Sequence, residues 1–148
     1  MSVSRVYHQS LADLIGEQAF DLIPTGAVVG AGATVTLSSD WDAGPLSPLG
    51  TIMRALTRPT NAVPDVETAI EMLTINAAYA LGHDDRTGSI EVGKLADFVL
   101  LDADLLAIAP DQIDNARVLA TFVGGRVTHV GPGAPFTLER PRPIDGVD

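Results

Sequence analysis

The character of this chain changes after His83. Between Asp65 and Gly82 the residues Val66, Ala69, Ile70, Leu73, Ala77, Ala80 and Leu81 recur at three- and four-residue spacing. That is the stripe of an amphipathic helix with one buried face. After His83 come short apolar and β-branched runs punctuated by glycine. Ala96 to Leu101 reads as a buried strand. Val118 to Val123 and Arg126 to Val130 flank Gly124-Gly125, a two-residue turn that tolerates the positive φ a hairpin needs. A chain that is helical first and sheet-forming second is the end of an α/β layer joined to a small sheet.

Upstream the signals are shorter. Leu11 to Phe20 predicts a brief helix, weakened by Gly16. Pro24-Thr25-Gly26 is a turn, and Val28 to Ala33 fits helix or strand. Thr34 to Ser38 alternates like a strand. Ser47 caps a helix with Pro48 at its first position, running to about Thr57. Asp65 caps the amphipathic helix, Glu67 and Glu71 sit near its positive end, and Gly82 ends it. The proline-rich stretch 132–148 reads as an extended tail.

Composition removes several function classes. Nine Lys and Arg against nineteen Asp and Glu give a formal charge of −10. Nucleic acid and anionic membrane are therefore excluded as partners, since both need clustered basic residues. Cysteine is absent, which removes disulfides, thiol chemistry and Cys-ligated zinc. The longest uncharged run, Leu22 to Ser39, is broken by Pro24 and glycines and does not read as a membrane span. Met1 to Ser10 lacks the apolar core of a signal peptide, so a cytoplasmic location is expected.

Few residues are placed for chemistry. Gly30-Ala31-Gly32 begins like a dinucleotide loop, but Val35 stands at the third glycine position. His8, His83 and His129 are not spaced to share a metal. Asp97, Asp102, Asp104, Asp111 and Asp114 do not match a calcium loop and read as a solvated surface. Asp40 sits just after the Thr34 to Ser38 run, flanked by Ser38, Ser39 and Trp41. Ligand-binding groups of α/β folds gather at the carboxyl ends of strands. A carboxylate there serves as metal ligand or general base, or else it caps a turn or the next helix.

Gly88-Ser89-Ile90-Glu91-Val92-Gly93-Lys94-Leu95-Ala96-Asp97-Phe98-Val99-Leu100-Leu101-Asp102 resembles the G-x-I-E-x-G-K-x-A-D-x-V-x-x-D signature of the amidohydrolase superfamily. Thr74-Ile75-Asn76-Ala77-Ala78 with Leu81-Gly82 resembles the helix preceding it, and Ser39-Asp40-Trp41 the segment closing the last barrel strand. Val118 to Val130 is similar to the family's final hairpin. The nearest likeness is to the amidohydrolase 3 branch, which includes metal-dependent hydrolases of N-acyl and related amide substrates.

The resemblance implies an α/β fold: the C-terminal part of a (β/α)8 barrel followed by strands of a small β-sandwich. A complete barrel takes at least about 200 residues, so with 148 the barrel is incomplete. The implied division is residues 1–85 for the last barrel strand and helices, 86–131 for sandwich strands and 132–148 for the tail. The implied chemistry is attack of metal-activated water on a non-peptide carbon–nitrogen bond of a small amide-type molecule. The cofactor would be a divalent metal, usually zinc. Asp40 would be both metal ligand and proton carrier, and Trp41 and Asp42 would belong to the substrate loop. In the signature, Gly88 and Gly93 are turn positions, Asp97 begins the strand and Lys94 is an exposed side chain. The family's His-x-His, bridging lysine or carboxylate and later metal histidines would lie upstream of Met1. The expectation is a C-terminal fragment, inactive alone and without tightly bound metal. The alternative is a non-catalytic module that forms a homo-oligomer or complements a second chain.

Overall fold

The structure is a computed structural model that describes residues 10–41 and 44–137. It is a mixed α/β arrangement. A helical stretch over residues 10–15 passes at Gly16 into a 3-10 helix, Gly16–Asp21. Helix α1 spans Thr25–Gly30 and has no buried residue, so Thr25 and Gly26, expected in a turn, are helical, and of the ambiguous Val28 to Ala33 stretch only 28–30 are helix, with a turn at 31–32. Residues 33–40 form neither helix, turn nor strand.

Helix α2, Pro48–Leu56, starts as its sequence predicts. Ser47 is extended, its Oγ accepts the Gly50 N–H at 3.0 Å, and Pro48 holds the first position. Helix α3, Val66–Leu73, is capped by Asp65, whose Oδ1 accepts the Thr68 N–H at 2.7 Å. The single helix expected from Asp65 to Gly82 is two. Thr74 has left the helical region, and α4 restarts over Ile75–Ala80. The Thr74 hydroxyl donates to the Ile70 carbonyl at 2.8 Å, a local bond that competes with the helical ladder. The apolar period survives the break, so periodicity alone does not register it. Gly82 ends α4 with two bonds: Gly82 N–H to Tyr79 C=O, and His83 N–H to Ala78 C=O.

The sheet has three antiparallel strands in chain order: β1 (Phe98–Leu101), β2 (Val118–Val123) and β3 (Arg126–Val130). Gly124 and Gly125, at φ +56° and +75°, close the hairpin. Between β1 and β2 the chain crosses back to α2 through a 3-10 helix, Pro110–Asn115. The core therefore joins Ile52 and Ala55 of α2, Ala69 and Met72 of α3, Val63, Leu105 and Ile113.

Strand β1 corrects the expectation of burial. Phe98, Val99 and Leu100 keep 38%, 53% and 36% of their surface. A strand apolar on both faces is buried only when both faces are covered. Phe98 stacks on Phe122 at 4.3 Å between ring centroids, and Phe136 meets Phe122 edge-on at 6.1 Å. The stretch 132–137 thus reaches the sheet; the remainder of the expected tail lies outside the described residues.

Candidate functional site

Asp40 closes segment 33–40, and the burial pattern of that segment defines which side it stands on. Val35, Leu37 and Ser39 are half-buried; Thr34, Thr36, Ser38 and Asp40 are exposed. This is the two-residue period of a strand. Val35 and Leu37 pack against the core. The Val35 carbonyl accepts Asn76 Nδ2 at 3.1 Å, and the Leu37 N–H donates to the Met72 carbonyl at 3.1 Å. The helices thus cover one face, and Asp40 stands on the other, at the carboxyl end.

The segment is not a strand, which corrects the expectation for Thr34 to Ser38. Its burial alternates like a strand's, but no strand among the described residues runs beside it. A ladder needs a neighbour, and local sequence cannot supply one.

Asp40 occupies the left-handed region, φ +49°, where aspartate is among the few tolerated side chains. Its backbone makes the turn: its N–H donates to Ser38 Oγ at 3.2 Å, and its carbonyl accepts the Gly44 N–H at 3.1 Å. The carboxylate does not cap the next helix, which is capped by Ser47. Among the described residues no group hydrogen-bonds to that carboxylate. The turn is made by the Asp40 backbone, and its side chain takes no part in it among the described residues. Trp41 follows, 68% exposed. Asp42 lies outside the described residues. Among the described residues no three His, Asp or Glu side chains come together to hold a metal.

The remaining charged groups hold loops. The Lys94 side chain is only 12% exposed, against the expectation of an exposed lysine. Its Nζ donates to Ser89 Oγ at 2.7 Å and lies 3.4 Å from Glu91 Oε1, while the Ser89 hydroxyl donates to Glu91 at 2.5 Å. The Ser89 hydroxyl, and then Lys94, hold the Glu91 carboxyl below its usual range. Asp102 is likewise lowered, first by the Arg117 backbone N–H and then by its guanidinium, at 2.7 and 2.6 Å. Asp97 Oδ1 accepts the Gly124 N–H at 2.6 Å. These acids stay in solvent, as expected, yet two of them fasten the sheet. Asn76 was not singled out by the sequence reading as the group that ties segment 33–40 to the helices. Its signal lay within the Thr74 to Ala78 motif.

The sequence profile described as "Amidohydrolase family" matches residues 3–129. An N-substituted formamide deformylase of Arthrobacter pascens is 33% identical over 126 residues, covering 80% of this chain and 23% of that protein. A 5-methylthioadenosine/S-adenosylhomocysteine deaminase of Saccharophagus degradans is 48% identical over 64 residues, 43% of this chain and 14% of that protein. Among solved structures, an adenosine deaminase from Xanthomonas campestris with bound zinc superposes with a TM-score of 0.61 at 27% identity. That likeness covers 72% of this chain and 28% of the deaminase. The chain spans about a quarter or less of the length of these proteins. No helix among the described residues is long and apolar enough to cross a membrane.

Proposed function

This chain belongs to the amidohydrolase family, and from that footing we propose that it carries the closing βα portion of a (β/α)8 hydrolase acting on non-peptide carbon–nitrogen bonds. Residues 1–85 form the barrel portion, 86–131 the sandwich strands and 132–148 the tail. The crossover through Leu105 and Ile113 fastens the two parts. The observation that carries the reading is the placement of Asp40: carboxyl end of segment 33–40, face opposite the helices, carboxylate without a partner among the described residues.

Asp40 supplies a carboxylate that accepts a proton from water as its oxygen bonds to the substrate carbon. The same proton passes to the nitrogen as the carbon–nitrogen bond breaks. The substrate is a small amide-type or aminated molecule, with Trp41 and Asp42 beside it. The named relatives are a deformylase and deaminases, and the zinc of one of them supports a divalent metal in the complete enzyme. The described residues do not fit a whole metal site. Tight binding takes three or four protein ligands, and Asp40 is one. The proposal therefore includes inactivity of the chain by itself.

A covalent chimaera tests this reading. The stretch of the Arthrobacter pascens deformylase that matches this chain is replaced by this chain, and hydrolysis of an N-substituted formamide is followed with added zinc. Turnover that falls at least about a hundredfold in Asp40→Asn is expected. Full activity in that variant removes Asp40 from the chemistry.

The second reading, a non-catalytic module that oligomerises or complements another chain, draws on exposed apolar side chains. Leu14, Ile23, Leu46 and Leu81 each expose 60% or more of their surface. Turnover by the chimaera alongside an inert, metal-free single chain is compatible with complementation but not with a non-catalytic role.

A further inference from the structure

The Asp40 carboxylate has no hydrogen-bond partner among the described residues, so its place is inherited from the chain that carries it. That chain is tied to the helices at two points. Asn76 Nδ2 donates to the Val35 carbonyl at 3.1 Å, and the Leu37 N–H donates to the Met72 carbonyl at 3.1 Å. One tie would leave segment 33–40 free to pivot. Two ties, on residues two apart, set its direction as well as its place. The Val35 and Leu37 side chains also pack against the core, but apolar contact is non-directional, and hydrogen bonds are what fix an orientation.

The break at Thr74 makes both ties available. A helix leaves its last four carbonyls without partners of its own, and α3 ends at Leu73. Thr74 serves two of them, its hydroxyl donating to the Ile70 carbonyl and its N–H to the Glu71 carbonyl. The Met72 carbonyl is served from outside the helix, by Leu37. In an unbroken helix that carbonyl would take the Asn76 N–H. Instead the chain turns at Thr74, φ −119° and ψ −93°, and α4 begins with the half-buried Asn76 in its first turn.

We infer that Asn76 is a positioning residue for Asp40: its side-chain amide, with the Met72 carbonyl, aims segment 33–40 so that the carboxylate at its end meets the reacting water. The inference rests on the reading of Asp40 given above and adds the group that holds it in place. A misplacement of about 1 Å, made away from the chemistry, can cost about a hundredfold in rate.

The full 148-residue chain and the chimaera test this together. In the full chain, Asn76→Ala is expected to speed hydrogen exchange at the Leu37 amide at least about tenfold. The Ala69 amide of α3, which donates to the Asp65 carbonyl, should be unchanged and so verifies that the helices still fold. Asn76→Asp keeps the size of the side chain and, ionised, has no donor, so it gives the same result should truncation disturb the packing. In the chimaera, Asn76→Ala is expected to lower kcat at least about tenfold with KM within about twofold. In the Asp40→Asn background the same substitution should change the residual kcat by less than about twofold, because a residue acting through Asp40 has nothing left to place. A merely structural role would lower turnover alike in both backgrounds, and that result overturns the inference. So does unchanged Leu37 exchange in both variants, or equal acceleration at Leu37 and Ala69, whatever the chimaera does. Full kcat in Asn76→Ala beside a loss in Asp40→Asn overturns it too, and leaves the Asp40 reading standing. An inert parent chimaera, or full activity in Asp40→Asn, removes that reading and the inference with it.

Discussion

Asp65 shows how one side chain sets where a helix begins. Its carboxylate takes the Thr68 N–H at the positive end of α3, and that bond lowers its pKa below 3.8. The folded value is the lower one, so the cap contributes fully above the unfolded pKa and is lost as pH falls through the folded one. Asp65→Ala is expected to cost about 1 kcal/mol at neutral pH, read from urea midpoints. The difference from the parent should shrink as pH falls below the ordinary carboxylate range. Gly88 is constrained more tightly. It stands at φ +86°, and a Cβ there would lie 2.7 Å from Ala78 Cβ and 2.9 Å from Ile75 Cα. Gly88→Ala is expected to cost about 2 kcal/mol or more, with the thermal midpoint as the measurement. Both residues were legible as a cap and a turn. The close approach of Gly88 to α4 was not, because sequence carries no record of which backbones meet. Lys94 was misread for the same kind of reason: a lysine is solvated by default, and only the fold sets Ser89 and Glu91 beside it.

Among elements, the hairpin and the α2 cap were readable because their determinants are local. Two glycines specify the β2–β3 turn, and Ser47-Pro48 specifies a helix start. Asp97 adds a tertiary tie, holding the Gly124 N–H from across the sheet. Asp97→Ala is expected to weaken the sheet by about 1 kcal/mol. In hydrogen exchange it should speed the Gly124 amide and leave α3 unchanged; equal acceleration in both would show a global effect instead. Segment 33–40 kept its strand-like alternation but not its ladder, since pairing depends on a second segment. The exposure of β1 has the same origin. Its apolar run describes what the strand would bury, while the neighbours decide whether burial occurs.

For the molecule as a whole, the expected outcome is a chain that holds no stoichiometric metal. Purified in trace zinc and measured by elemental mass spectrometry, the single chain should carry close to none, because under the proposed reading Asp40 is one ligand where three or four are needed. One metal per chain would mean that self-association or undescribed residues complete a site.

The sequence by itself determined the family, the helix caps, the hairpin and the position of Asp40 just after a strand-like run. Those properties rest on residues close together in the chain, where backbone preference and hydrogen-bond reach act directly. Only the tertiary structure decided that Asp40's turn is made by its backbone and its carboxylate left without a described partner. It alone divided the long helix at Thr74, drew Lys94 inward, and left segment 33–40 without a strand partner among the described residues. Each of these depends on which groups, distant in sequence, come within a few ångströms, and contact at that range is a product of packing.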